Sequence, residues 1–119
     1  MSNTYKDLIV YKKSYEISLE VHRLSLKLPS FEKLELGSQI RRASKSIPMN
    51  IAEGYGRNDS IDDFKRFLTM ALGSCEEVKV QLDYCKDLGY LEDSQYQELI
   101  KKYAEVSKMI VSMKKNWKK

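Results

Sequence analysis

Histidine is almost missing from this chain of 119 residues: there is one, His22. A lone imidazole cannot build a histidine-rich metal centre, and the absence of any Glu-x-x-His pair disfavours a di-iron bundle. No serine–histidine–acid arrangement can be argued around it either. Two prolines and five glycines leave little room for a turn-rich β fold. The two cysteines, Cys75 and Cys85, are ten residues apart on one predicted helix. That spacing is about 15 Å along a helix axis, too far for a disulfide, so both read as small core residues in a reducing compartment. No apolar run approaches the roughly 18 residues of a membrane span. The N-terminus lacks the apolar stretch of a signal peptide, and a cytoplasmic location follows as the expectation. Gly54-Tyr55-Gly56 lacks the lysine and the preceding strand of a phosphate loop. Enzymatic activity, a metal and a cofactor are therefore not expected.

What the chain does have is charge and helical periodicity. Charged residues make up 32% and hydrophobic residues 42%, a balance that suits one soluble helical domain over residues 1–119. The net charge of +4 is unevenly spread. Residues 59–89 are acidic on balance, with Asp59, Asp62, Asp63, Glu76, Glu77, Asp83 and Asp87 against Lys65, Arg66, Lys79 and Lys86. The flanking segments are basic. Such a field suits an anionic partner such as nucleic acid, against the plainer reading of a solvated surface.

Four apolar ladders mark four helices. The first, from about Asp7 to Lys27, carries Val10, Ser14, Ile17, Val21, Leu24 and Leu28 in steps of three and four. Pro29 and Ser30 stop it, and Phe31–Lys33 make the connection. The second, from Leu34 to Tyr55, buries Leu36, Ile40, Ala43, Ile47 and Ile51, with Pro48 predicted to kink it and Gly54 and Gly56 to end it. The third starts behind Ser60 and Asp63, which resemble a capping box, and runs through Ile61, Phe64, Leu68, Ala71, Cys75, Val78, Leu82 and Cys85 to Gly89. The fourth takes Asp93 or Ser94 as its cap and runs through Tyr96, Leu99, Tyr103, Val106, Ile110, Met113 and Trp117 into a lysine-rich end. Short connections between four such helices predict an all-α, antiparallel up-down-up-down four-helix bundle.

The first helix has a second stripe. Leu8, Tyr15, Leu19 and Leu26 project roughly opposite the core ladder. A domain of this size has no second core to offer, so this face predicts contact with another copy of the chain. On the second helix, Arg42, Ser46, Asn50, Glu53 and Arg57 share a face beside the buried stripe, with Arg41 and Lys45 alongside. Arg41, Arg42, Lys45 and Arg57 are the candidate nucleic-acid contacts, with Lys12 and Lys13 as outlying contributors. Ser46, Asn50 and Glu53 read rather as a structural polar strip. Glu53 is expected to bridge Arg42 or Arg57. Local polar groups are expected to serve the Ser44 carbonyl, whose partner Pro48 removes. Exposed tyrosines, of eight in all, offer stacking surfaces for bases, although apolar ladders already use Tyr15, Tyr96 and Tyr103.

The string from Gln39 to Arg57 (QIRRASKSIPMNIAEGYGR) resembles the signature of the four-helix bundle proteins encoded in intervening sequences of bacterial large-subunit ribosomal RNA genes. Phe64-x-x-Phe-Leu, the run Ala71–Ser74 and Lys86–Tyr90 fit the same family. So does the opening Asp7–Tyr11, where the family usually has tryptophan in place of Tyr11. The resemblance implies an antiparallel bundle assembled as a homopentameric ring. It extends to the accessory proteins of diversity-generating retroelements, which bind nucleic acid and a reverse transcriptase. It implies no active site. The expected function is that of a non-enzymatic, homo-oligomeric, RNA-binding bundle. The alternative is a protein-interaction scaffold docking a partner enzyme such as a reverse transcriptase.

Overall fold

The ladders fold as four long helices in a computed structural model that describes residues 4–57 and 59–117. They are α1 (Ile9–Ser25), α3 (Leu36–Tyr55), α4 (Ile61–Asp87) and α5 (Asp93–Asn116). A 3-10 turn, Tyr5–Asp7, precedes α1, and one turn of helix, α2 (Ser30–Lys33), joins α1 to α3. No strand occurs among the described residues. Around the bundle, α3 packs on α1 and on α4, and α5 packs on α4 and on α1. All four thus enclose one core, in a molecule extending 46 by 25 by 23 Å. Each ladder supplies that core, with Val21, Ile40, Ile47, Phe64, Leu68, Leu82, Leu99, Tyr103 and Ile110 fully buried.

The helix ends follow from local chemistry. Ser60 Oγ accepts from the Asp63 amide at 3.2 Å, which starts α4 as its sequence indicates. A complete capping box lies elsewhere, between Thr4 and Asp7 at the opening turn. Gly89 ends α4 with a φ of +83°, a conformation that favours glycine. The Tyr90 amide donates to the Cys85 carbonyl at 2.8 Å and the Gly89 amide to the Lys86 carbonyl at 3.0 Å, so the last carbonyls of the helix are served. Beyond α5, Trp117 packs edge-on to Phe64, with ring centroids 4.7 Å apart, and to Tyr55 at 6.1 Å. This aromatic cluster ties the end of α3, the start of α4 and the end of α5 together.

Several boundaries differ from those the sequence predicts, among them the end of α1, at Ser25 rather than Lys27. Asp7 belongs to the 3-10 turn rather than to the first helix, and the connection after Pro29 itself turns helically. The second long helix starts at Leu36, leaving Leu34 almost wholly exposed. Glu92, not Asp93 or Ser94, occupies the cap position of α5, with no side-chain cap bond, while Asp93 pairs with Lys86 at 3.4 Å. Gly54 does not end α3. It lies inside that helix, buried, and Gly56 takes the cap position. Lys118 and Lys119 of the predicted lysine-rich end, like Asn58 of the α3–α4 connection, lie outside the described residues.

Candidate nucleic-acid interface

The six predicted nucleic-acid contacts separate into two groups. Arg41 is spent inside the protein: Nη1 donates to Ser25 Oγ and Nη2 to the Lys33 carbonyl, each at 2.9 Å. It clamps α3 to the end of α1 and to the connection. Gly37 makes room for it, since a Cβ there would lie 3.0 Å from Arg41 Nη1. Lys13 pairs with Glu105 of α5 at 2.6 Å. Arg57 pairs with Glu53 at 3.6 Å and lies over the Phe67 ring, whose centroid is 5.3 Å away. Arg42, Lys45 and Lys12 are exposed and have no hydrogen-bonding or ion-pairing partner among the described residues.

Ser46 and Asn50 of the polar strip bond to their own helix and, through Ser46, to α4, whereas Glu53 is exposed and pairs with Arg57. Ser46 Oγ donates to the Ala43 carbonyl at 2.7 Å and meets Ser74 Oγ of α4 at 2.6 Å. Asn50 Nδ2 donates to the Ser46 carbonyl at 2.8 Å. These groups therefore serve the Ala43 and Ser46 carbonyls, both before Pro48, rather than the Ser44 carbonyl. The Ser44 hydroxyl itself donates to the Arg41 carbonyl at 3.2 Å.

The second stripe of α1 is exposed at Tyr15, Leu19 and Leu26, which are 46%, 36% and 53% accessible. Leu8 leaves it. It precedes the first helical residue in an extended conformation, φ −75° and ψ 125°, so helical counting does not reach it, and its side chain packs against the core. Ile9 is exposed next to it. A second exposed apolar series, on α4, comprises Met70, Val80, Tyr84 and Leu88, which share one side of that helix at about 100° per residue.

Between the opening turn, α1 and α3 runs a groove of about 610 Å³, lined by Tyr5, Tyr11, Tyr15, Ser18, Leu19, Lys45, Pro48, Met49, Ala52 and Glu53. Its tyrosines form a row: Tyr5 meets Tyr11 edge-on at 4.8 Å between centroids, and Tyr11 stacks near Tyr15 at 5.8 Å. Burial, then the neighbouring Tyr5 and Tyr15, raise the Tyr11 pKa. Tyr5, Tyr11 and Met49 were not legible as site residues. Tyr11 and Tyr15 are one helical turn apart, a signal in retrospect, but Tyr5 joins them only through the opening turn.

Elsewhere the chemistry is quiet. Burial raises the pKa of Cys75, and burial with the nearby Glu32 pushes the Cys85 thiol up to about 11, so neither is a ready nucleophile. Among the described residues no group of three or more His, Cys, Asp or Glu side chains could hold a metal ion. None of the helices described is long and apolar enough to cross a membrane.

A helical bundle with an aromatic and cationic groove is thus the class that fold and surface define. The family model for the 23S rRNA-intervening sequence protein matches residues 6–112, and the chain belongs to that family. A solved structure, a protein of unknown function from the S23 ribosomal protein family of Bacteroides thetaiotaomicron, is similar with a TM-score of 0.78 and 26% sequence identity. The match covers 91% of this chain and 100% of that one. No curated protein matches the sequence significantly.

Proposed function

We propose that this chain is a non-enzymatic RNA-binding protein that works as a homo-oligomer in the cytoplasm. One observation carries the reading. Arg42, Lys45 and Lys12 are exposed with no hydrogen-bonding or ion-pairing partner among the described residues, and Lys45 lines the tyrosine groove between α1 and α3. Exposed cations with no internal partner attract phosphate, and a row of tyrosines beside them attracts unstacked bases. The family's association with the 23S ribosomal RNA gene makes RNA the polymer of choice. Assembly is supported by the two exposed apolar series on α1 and α4. They lie on different helices, so a copy can present one to the other of its neighbour, the head-to-tail contact that generates rings. Five subunits is the number the family resemblance implies.

Affinity for a structured RNA should fall linearly with the logarithm of salt, by roughly 0.7 to 0.9 log units per phosphate contact per tenfold salt. A Lys12→Ala, Arg42→Ala, Lys45→Ala variant spares the Arg41 clamp. It should remain folded, bind more weakly and show a shallower slope. A wild-type protein that binds no RNA at low salt overturns the reading, and a variant that binds like wild type moves the contact off this face.

A further inference from the structure

The groove between the opening turn, α1 and α3 is electrically lopsided. Two charged side chains line it, Lys45 and Glu53, both on α3. They stand eight residues apart, about 12 Å along the helix. Between them the α3 wall is apolar, made by Pro48, Met49 and Ala52. Arg41 Nη1 donates to Ser25 Oγ, which brings the start of α3 to the end of α1. Counting away from that bond along both helices, Lys45 comes level with the Leu19 end of the groove and Glu53 with its Tyr11 end. The cation thus sits at one end and the carboxylate at the other, where the tyrosines gather. Neither charge is fully used. Lys45 is exposed, with no hydrogen-bonding or ion-pairing partner among the described residues. The Glu53 side chain is 56% accessible and meets Arg57 at 3.6 Å. One long, solvated ion pair leaves most of the roughly four lone-pair sites of a carboxylate open. Ser18 Oγ donates to the Tyr15 carbonyl at 2.6 Å, so its proton is not offered to the groove.

We propose that this groove takes one unstacked guanine of single-stranded RNA, with its phosphate at Lys45 and its Watson–Crick edge at Glu53. This inference rests on the RNA-binding reading and adds to it a place and a base. A nucleotide has the same order as the groove: an anion, then a flat ring, then polar groups on the far edge. The base lies against the tyrosine row, with Pro48 and Met49 on the opposite wall. It can enter only when unstacked, which selects single strands over duplex. The carboxylate selects the base. A carboxylate repels phosphate, so in a groove for RNA it must be offset by donors on the ligand. Guanine alone among the four bases carries two adjacent donors, N1–H and the N2 amino group. A carboxylate accepts such a pair side by side, as it does from a guanidinium. Adenine and cytosine set a ring acceptor beside their one amino group, and uracil sets carbonyls beside its one N–H. Each of these turns a lone pair toward Glu53. The groove lies at the rim of the proposed subunit contact, because Tyr15 and Leu19 belong to both surfaces.

The test uses labelled uridine heptamers that differ only in their central base: guanine, hypoxanthine, adenine or uracil. Affinity is followed by anisotropy at low salt. The wild-type protein should bind the guanine heptamer about tenfold more tightly than the adenine and uracil ones. Hypoxanthine lacks only the N2 amino group and should fall between. Glu53→Gln should bring all four within about twofold of one another while keeping the affinity for the all-uridine strand, with fold and oligomer intact by circular dichroism and light scattering. Lys45→Gln should instead weaken all four alike and make the salt slope shallower, as loss of a phosphate contact does. RNA binding without a guanine preference overturns the seat and leaves the RNA-binding reading standing. A guanine preference that survives Glu53→Gln also overturns the seat. Absence of RNA binding at low salt overturns both. Guanosine monophosphate should displace the guanine heptamer only at much higher concentration than unlabelled heptamer does, and displacement at equal concentration overturns the RNA strand as occupant.

Discussion

Gly54 shows how much one hydrogen atom decides. A Cβ built there would lie 2.7 Å from Phe67 Cβ and 3.0 Å from Phe64 Cδ1, both on α4. The first of these neighbours is anchored directly to the backbone, so the helices would have to separate. Gly54 is present because α3 and α4 touch at that point, where the guanidinium groups of Arg57 and Arg66 also lie over the Phe67 ring, 5.3 and 4.7 Å from its centroid. Gly54→Ala, although it raises intrinsic helix propensity, should therefore cost about 1–3 kcal/mol of stability in urea unfolding. An unchanged midpoint would show that the contact can relax. Gly73, by contrast, has nothing within 4 Å of its notional Cβ. In the sequence Gly54 reads as a helix end and Gly73 as a residue inside a helix, and neither carries a signal that tells a close crossing from open solvent. Only the position of α4 separates them.

At the scale of one element, α3 concentrates most of what is distinctive. Among the described residues it carries the only proline inside a helix, Pro48, and one of the four helices bends by 37°. The proline and the residues after it, Met49 and Ala52, form one wall of the groove, and the tyrosines of α1 and the opening turn form the other. Pro48→Ala restores a backbone donor for the Ser44 carbonyl and should straighten α3. Helicity by circular dichroism should be kept or rise, while RNA affinity should fall as the two walls lose register. Equal affinity in the variant would show the proline to be incidental to the groove. The polar strip of this helix was legible as a face from spacing alone, and the Glu53–Arg57 pair follows from its four-residue separation. That Arg41 is a clamp was not legible. Its partners are a serine 16 residues back and a carbonyl in the connection, and neither is a helical neighbour.

Over the whole molecule, the core accounts for one face of each helix and leaves two apolar series uncovered. Tyr15, Leu19 and Leu26 of α1 and Met70, Val80, Tyr84 and Leu88 of α4 remain outside it. Leu19 and Val21, two residues apart, stand on opposite sides of this division: Leu19 is 36% accessible and Val21 is fully buried. Leu19→Glu should give a folded protein of smaller mass by light scattering, because the charge falls in the subunit contact. Val21→Glu should abolish the cooperative fold, since an unpaired carboxylate in the core costs more than a domain of this size can spare. Wild-type protein that scatters as a monomer at micromolar concentration would sink the assembly.

Period and spacing by themselves determined that this is an all-α chain of four long helices, which side of each is buried, and that both thiols are internal. These are properties of a helix and a hydrophobic stripe, so they survive any error in how the helices meet. Helix ends were less secure, because a one-turn connection such as α2 or a shift of the α5 cap to Glu92 depends on which backbone groups neighbouring segments can satisfy. The tertiary structure alone decided which cations are free. Lys12 and Lys13 are adjacent in the chain, yet Lys13 reaches Glu105 on α5 and Lys12 has no partner among the described residues. It also alone assembled Tyr5, Tyr11 and Lys45 around one groove. Charge and aromatic character are written residue by residue. Whether a side chain is already engaged depends on the atoms of another helix, and their distance is fixed only when the core closes.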